Sequence, residues 1–507
     1  MKRAVSIALA LLILSALLAS CSSGGTGKDP GKADVSGKAG EDSGGTVTAR
    51  PEPLDENIVE LDYSGKTFTI ISRPNSNETI GEEVWVEELT NDPVNDAIYN
   101  RNAYVCDVLG LGEIRQETAN EIDIQDKVDI MVNSGDQTYD LVAASVYYGT
   151  PLIQRGEVYN LYDNGIDNYL DATRPWWAQY WIDQAEMGDR LYCITGAPAL
   201  SLTRLMLVFY YNKDLGKSLG LEDMYGVVEE GRWTIDYLND VIAPLYASLN
   251  GDDFRDEYDR YGLAINDFES CDTFWSSFDM AMIARDEDGW FEYDGSQQGK
   301  ISAAFEKIFY LIRENPGAYN KMKSGADGHV DFATARDIFA RGNAVFASIP
   351  LKFAETVALR NMQDDYGILP APKYDQNQKE YFSYSWDQYT VFMVPKTVAD
   401  LSMCGAVLEA MAYESYYSVQ PTYYDLVLKG RYANDPQSRA MLDLITSHIR
   451  VNVSFLYGME IGQPEANVLR NLVHRGNRSF ATAWATQANA LPAKLKLLRT
   501  AVEKLEY

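Results

Sequence analysis

The chain has 507 residues, of which 46% are hydrophobic and 23% charged, and its formal net charge is −30 at neutral pH. That apolar content supports a sizeable core and excludes global disorder, while the length suggests two or three units of ordinary domain size. So acidic a surface repels phosphate backbones and anionic lipid alike, which excludes nucleic acid as a partner and any membrane contact made by the protein's own surface.

In chain order, Lys2 and Arg3 precede an apolar run from Ala4 to Leu18. The run is too short for a membrane span and reads as the core of a signal peptide over residues 1–20. Leu18-Ala19-Ser20-Cys21 follows and resembles the bacterial lipobox. The resemblance implies cleavage before Cys21 and lipidation of its sulfur with palmitate-like chains. The protein is then expected on the extracytoplasmic face of the cell envelope, touching the membrane through its anchor alone. Residues 21–53 are Gly, Ser, Lys, Asp and Thr with almost no large apolar side chain, a flexible linker of about 30 Å mean reach. Gly31-Lys32 and Gly37-Lys38 lack the upstream glycine and following Ser or Thr of a phosphate loop.

From about Leu54 the pattern becomes βαβαβ. Lys66 to Ser72 (KTFTIIS) predicts a strand. Asp92 and Pro93 open a helix whose stripe of Val94, Ile98, Val105 and Val108 ends at Gly110. Glu113 to Glu117 predicts a second strand, Ile122 to Val132 a second helix stopped near Gly135, and Tyr139 to Ala144 a third strand. Such alternation implies a parallel sheet covered by helices, with ligands at the loops beyond the strands' carboxyl ends. Those loops carry Arg73 and Asn75, then Ser145, Tyr147 and Tyr148. Further strands are expected at Leu205–Tyr211, Tyr261–Ile265, Ala344–Ile349 and Tyr389–Val394. Helices are expected after Thr234, over the stripe Ile301–Ile312, and near Ala406–Tyr413, Met441–Ile449 and Leu495–Leu505.

Catalytic signals are weak. His329, His448 and His474 are far apart, there is no His-Glu-x-x-His or Gly-x-Ser-x-Gly, and no metal or other cofactor is expected. The acidic run from Asp252 to Asp259 lacks the glycine and spacing of a calcium loop. Besides Cys21 the cysteines are Cys106, Cys193, Cys271 and Cys404. Their pairing is open in principle, and they read as buried thiols rather than bridges. The positive signal is aromatic content, 12% of the chain with 34 tyrosines and 9 tryptophans. Flat rings match the C–H faces of a pyranose, and Tyr O–H and Trp N–H supply polar edges.

Several strings taken together, in their order and spacing, resemble one family. They are NDPVNDAIYNRN (Asn91 to Asn102), YDLVAASVYYGTPLIQRGEVYNL (Tyr139 to Leu161), FYYNKDL (Phe209 to Leu215), GRWTIDYL (Gly231 to Leu238), YGILPAPKYD (Tyr366 to Asp375) and LEAMAYESYYSVQPTYYD (Leu408 to Asp425). The chain resembles the extracellular solute-binding proteins of family 1, the sugar-binding lipoproteins of ABC importers. The resemblance implies an α/β, two-lobed, periplasmic-binding-protein-like type II clamp with discontinuous lobes and a hinge. By analogy lobe 1 spans 54–204 plus 390–440, and lobe 2 spans 205–389 plus 441–507, with the C-terminal helices mainly across the second lobe.

The resemblance also implies that a carbohydrate, expected to be an oligosaccharide, is held between the lobes without chemistry. The closed receptor, expected as a monomer, then meets ABC permease subunits. Tyr147-Tyr148 fall where maltose-binding relatives carry an Asp-Arg pair, so the polar contacts must differ. The stretch Ser348–Phe353, with Lys352, matches another cleft segment but lacks its tryptophan. Trp386-Asp387 is a substitute platform, Trp275 follows the Tyr261–Ile265 strand, and Tyr457 lies in the C-terminal part. With Arg73 and Asn75 these are the expected ligand contacts, whereas Trp233 is assigned to structure. Two alternatives stand beside this reading. One is a secreted glycoside hydrolase, for which no carboxylate pair is nominated; the other is a receptor for a non-sugar solute such as a peptide.

Overall fold

The structure, a computed structural model, describes residue 50 and residues 52–74, 83–163, 165–166, 168–252, 254–319, 330–431 and 436–505. The signal segment, Cys21, nearly all of the linker and Asn75 lie outside the described residues. No helix among the described residues is long and apolar enough to cross a membrane.

The first sheet grows out of the βαβαβ pattern. Strand β1 (Thr67–Ser72) leads to helix α1 (Pro93–Leu109), then β2 (Glu113–Thr118), α2 (Glu121–Ser134) and β3 (Leu141–Ser145). Helix α1 starts where expected because the Asp92 carboxylate accepts the N–H groups of Val94 and Asn95, both at 3.0 Å. It stops at Gly110, whose φ of 63° continues no helix. Every residue of β3 is buried, as a central strand covered on both faces requires.

The second sheet takes β4 (Leu207–Asn212), β5 (Tyr261–Ile265), β6 (Ala318–Tyr319), β7 (Ala344–Pro350) and β8 (Tyr366–Leu369), and the chain then returns to the first sheet as β9 (Thr390–Met393). Strand order is β9-β3-β1-β2 in one sheet and β8-β4-β7-β5-β6 in the other. Helix α3 (Ile235–Ile242) begins at Thr234, whose hydroxyl accepts the Tyr237 N–H at 3.2 Å. A Cβ at Gly317 would stand 1.7 Å from the Ile242 carbonyl oxygen, so only glycine lets that helix end lie on the sheet edge. Trp233 is fully buried against Phe209 and Phe346 and donates to the Pro370 carbonyl at 2.8 Å, a structural role as expected.

Two connections between the sheets run side by side. Met206 bridges Ser385 in antiparallel fashion, the Leu207 N–H donates to the Tyr384 carbonyl at 2.9 Å, and the Trp386 N–H to the Leu205 carbonyl at 3.1 Å. Arg204, just before this ribbon, makes a forked pair with Glu355 at 3.0 and 2.5 Å. The result is a two-lobed mixed α/β fold of type II.

After β9, helix α4 (Leu401–Glu414) packs on α1 and α5 (Pro436–Ser447) on β8. The last helix, α6 (Phe480–Glu503), lies against both the hairpin strand Phe291–Tyr293 and the short helix Pro151–Arg155 that follows β3, so it touches chain segments from both halves. Trp176, Trp177 and Trp181 are core residues. The first two indoles donate to the buried Glu409 carboxylate at 3.0 Å each, and the third donates to the Tyr389 hydroxyl at 2.7 Å. Cys106, Cys193, Cys271 and Cys404 are free thiols, the last three buried.

Candidate functional site

Strand register fixes where a ligand site can form. Antiparallel β9 begins at Thr390 beside Ser145, the end of β3, and antiparallel β4 begins at Leu207 beside Pro350, the end of β7. The inter-lobe ribbon therefore lies at the rim where the parallel strands of both sheets end. In α/β sheets that rim is where ligands meet the loops.

Three segments converge there. From β3, the Val146 N–H donates to the Tyr389 carbonyl at 3.0 Å and the Tyr147 N–H to the Asp387 carbonyl at 3.3 Å. From β5, Asn266 folds the loop by accepting the N–H groups of Phe268 and Ser270, and the chain turns through Asp272 into the short helix Thr273–Ser277. From the C-terminal part comes the short helix Arg470–His474. The Arg470 guanidinium pairs with Asp272 through Nη1 and donates through Nη2 to Gln463 Oε1 at 3.2 Å. Gln463 Nε2 in turn donates to the Tyr147 hydroxyl at 2.5 Å. A continuous chain of polar contacts thus links the loop after β3 to the loop after β5. Gln463 holds its place with φ of 50°, a left-handed conformation that is costly for a residue with a Cβ. Arg470 also lies over the Phe268 ring at 4.5 Å.

Burial without satisfaction marks this region. Among the described residues Asp272 Oδ1, Trp275 Nε1, Tyr384 Oη, Ser385 Oγ, Ser348 Oγ and Arg470 Nε have no hydrogen-bond partner although each atom is buried. Each such group costs roughly 1–3 kcal/mol when left unmade. Electrostatics follow from the same burial. Desolvation pushes the Asp272 carboxyl up to about 7 against the opposing pull of Arg470. Burial likewise raises Asp387, with Arg470 and Gln388 opposing. The Tyr384 phenol is held well above its ordinary value by burial and then by the charges of Asp387 and Asp272. Hydroxyl, indole N–H and carboxylate groups together, beside aromatic rings, can exchange hydrogen bonds with a polyhydroxylated ligand.

The residues singled out from the sequence are placed as follows. Tyr147 and Asp387 belong to the polar cluster, and Trp275 lies one helical turn beyond Asp272 with its indole N–H unpartnered. Trp386 is half-buried beside them, its ring edge-on to Phe332 at 5.4 Å. Tyr148 packs edge-on against Tyr147, and its carbonyl accepts from Gln125 at 2.6 Å. Arg73 sits on the rim but is consumed internally, donating to the Gln388 carbonyl at 2.6 Å and to Thr390 Oγ1 at 2.8 Å, with Glu121 at 3.3 Å. Lys352 lies past the end of β7, its ammonium over the Phe353 ring. Tyr457 is buried and bonds within the chain. Its hydroxyl donates to the Ala185 carbonyl at 2.6 Å and its charged neighbours are Glu460 and Arg285, not the cleft groups.

Asp272, Tyr384, Gln463 and Arg470 were not legible as site residues. Asp272 had one signal, its position a helical turn before Trp275; Arg470, between the stripes expected at Met441–Ile449 and Leu495–Leu505, had none. Among the described residues no group of three or more His, Cys, Asp or Glu is arranged to hold a metal ion.

No family model matches the sequence, and no curated protein does. Solved structures match in fold. The GacH receptor of Streptomyces glaucescens, described unliganded and with acarbose, is 14% identical with a TM-score of 0.54, covering 85% of this chain and 99% of that one. UspC of M. tuberculosis is 15% identical with a TM-score of 0.53, covering 84% of this chain and 100% of the other. A cyclo/maltodextrin-binding protein complexed with maltotetraose is 12% identical at 0.51, covering 87% and 99%. Two of the three are described as a receptor or a binding protein, and the chain shares their fold.

Proposed function

We propose that this protein is an extracytoplasmic receptor of the family 1 type, which captures a carbohydrate between its two lobes and hands it to an ABC import permease. The observation that carries the reading is the set of buried, unpartnered polar atoms on Asp272, Trp275, Tyr384 and Ser385, at the rim where both sheets end. A sugar's hydroxyls supply the missing donors and acceptors, and Tyr147 and Trp386 supply ring faces. The neighbours' ligands, acarbose and maltotetraose, support the same class of solute. Lobes of 54–204 plus 390–440 and 205–389 plus 441–507 move about the paired ribbon, and ligand favours the closed arrangement because it contacts both. Cys21 carries the lipid that keeps the receptor beside its permease. Tyr148 and Lys352 complete the cleft wall in this reading, with Arg73 holding the rim from behind.

A panel of mono- and oligosaccharides and of short peptides in a thermal-shift assay, followed by calorimetric titration, tests this reading, because bound ligand raises apparent stability. A sugar that raises the melting temperature, and whose affinity falls about tenfold or more in Trp386→Ala while the apo melting temperature is kept, is the expected result. Stabilisation by peptides alone, or new reducing ends after incubation with oligosaccharides, overturns it.

A further inference from the structure

The polar cluster at the rim is unbalanced in charge. The groups within electrostatic reach of Asp272 are Arg470, Asp387 and Glu269, to which the buried Glu465, the phenol of Tyr384 and the thiol of Cys271 add themselves. Arg470 is the cation among them against the carboxylates of Asp272, Asp387 and Glu269, while burial favours the neutral forms of Glu465, the Tyr384 phenol and the Cys271 thiol. The other carboxylates have hydrogen-bond donors of their own. Glu269 accepts from Asn266 Nδ2 at 2.6 Å, and Glu465 from the Met282 N–H at 3.2 Å and Asn452 Nδ2 at 2.9 Å. Asp387 accepts from Gln388 Nε2 at 3.3 Å. Asp272 accepts from Arg470 through one oxygen, while Oδ1, in a residue with no exposed surface, accepts from nothing among the described residues. The nearby phenol of Tyr384 and indole of Trp275, both buried, are also unpartnered. A buried acid excess with an open carboxylate oxygen is costly unless it takes up a proton or positive charge is brought to it.

Resting on the sugar-receptor reading above, we propose that the ligand brings that charge: the site takes an amino sugar, whose protonated amine donates to Asp272 Oδ1 while its hydroxyls engage Tyr384, Trp275 and Ser385. An ammonium–carboxylate hydrogen bond in a desolvated site is about twice as strong as a neutral one, so it selects among sugars of the same shape. Arg470 sets the orientation by occupying the other side of Asp272, and the Gln463–Tyr147 link closes the first lobe over the site.

The test uses the whole receptor and matched sets that differ in one group. Glucosamine, N-acetylglucosamine and glucose are titrated as monomers and as β-1,4-linked tetramers, with the galacto series beside them and spermidine as a non-sugar amine, at pH 7, where the amines still carry protons and the Asp272 carboxyl can ionise. The expected result is that an amine form binds about tenfold or more tighter than both its acetylated and its hydroxyl partner, and that Asp272→Asn removes the preference. Trp386→Ala weakens every sugar but leaves the ranking, which separates general loss of the site from loss of charge selection. Should Asp272→Asn not fold, the wild-type ranking still decides. A neutral form binding as tightly as its amine overturns the inference and leaves the sugar reading standing. So does affinity for neutral sugars that rises as pH falls, since a proton is then the missing charge. Stabilisation by spermidine with no response to any sugar overturns the sugar reading and keeps the amine requirement. No response to any amine overturns the inference.

Discussion

The two sheet rims are equally buried and differ in whether their polar groups are satisfied. At the end of β1, Arg73 spends its donors on Gln388, Thr390 and Glu121. Below it Glu83, with no exposed surface, accepts from the Ser201 N–H at 2.5 Å, the Ser201 hydroxyl at 2.7 Å and the Thr390 hydroxyl. At the end of β5, Asp272, Trp275, Tyr384 and Ser385 are as deeply placed and leave an atom unpartnered each. The first arrangement is scaffold, because its groups are matched within the chain, the Glu121 oxygen facing Arg73 by an ion pair alone. The second holds back hydrogen bonds, which is why we propose it as the place where a ligand binds. Burial alone does not separate the two.

The largest expected effect breaks the satisfied rim. Glu83→Ala strands the Ser201 and Thr390 donors and leaves Arg73 with Glu121 and Arg101 with Glu414 as their remaining charged neighbours, which costs about 3–5 kcal/mol. Circular dichroism melts of the apo protein check this; a change under about 1 kcal/mol would show that the network is not structural.

Next in size is a dependence on pH. Burial pushes Glu157, Glu409 and Glu465 up to about 8 each and Glu460 up to about 7. Each binds its proton more tightly folded than unfolded, so folding takes up protons and stability falls as pH rises from the ordinary carboxylate range toward 8. The melting temperature is expected to be higher at pH 5.5 than at pH 8, and Glu465→Gln to flatten the slope. A flat or rising profile over that window contradicts the picture.

The smallest effect on stability sharpens the contrast most. Tyr384→Phe removes a hydroxyl that bonds nothing, so stability should move by less than about 0.5 kcal/mol, while ligand affinity falls by about fivefold or more. Equal losses in both would place Tyr384 in the scaffold instead.

Much of the frame was legible from pattern. The strand expected at Tyr261–Ile265 has those bounds, Asp92 and Gly110 end α1 as their chemistry dictates, and alternating strands and helices implied a covered parallel sheet. Loops beyond strand ends pointed to Tyr147, and Trp386-Asp387 sits beside it on the ribbon. Aromatic content was a poorer guide. The tryptophans at 176, 177 and 181 turned out to bond Glu409 and Tyr389 in the core, and the Tyr457 hydroxyl is spent on the Ala185 carbonyl. An aromatic side chain buries equally well in a core or against a ligand, so its count says little about its use.

Local order followed from the sequence alone because caps, turn glycines and the period of apolar residues act over a few residues at a time. The meeting of Asp272 with Arg470, 198 positions apart, and of Tyr147 with Gln463, 316 apart, came only from the tertiary structure. No local pattern encodes such a pairing. It depends on how two sheets and a C-terminal segment pack, and the same packing decides which buried carboxylate is matched and which keeps an oxygen open.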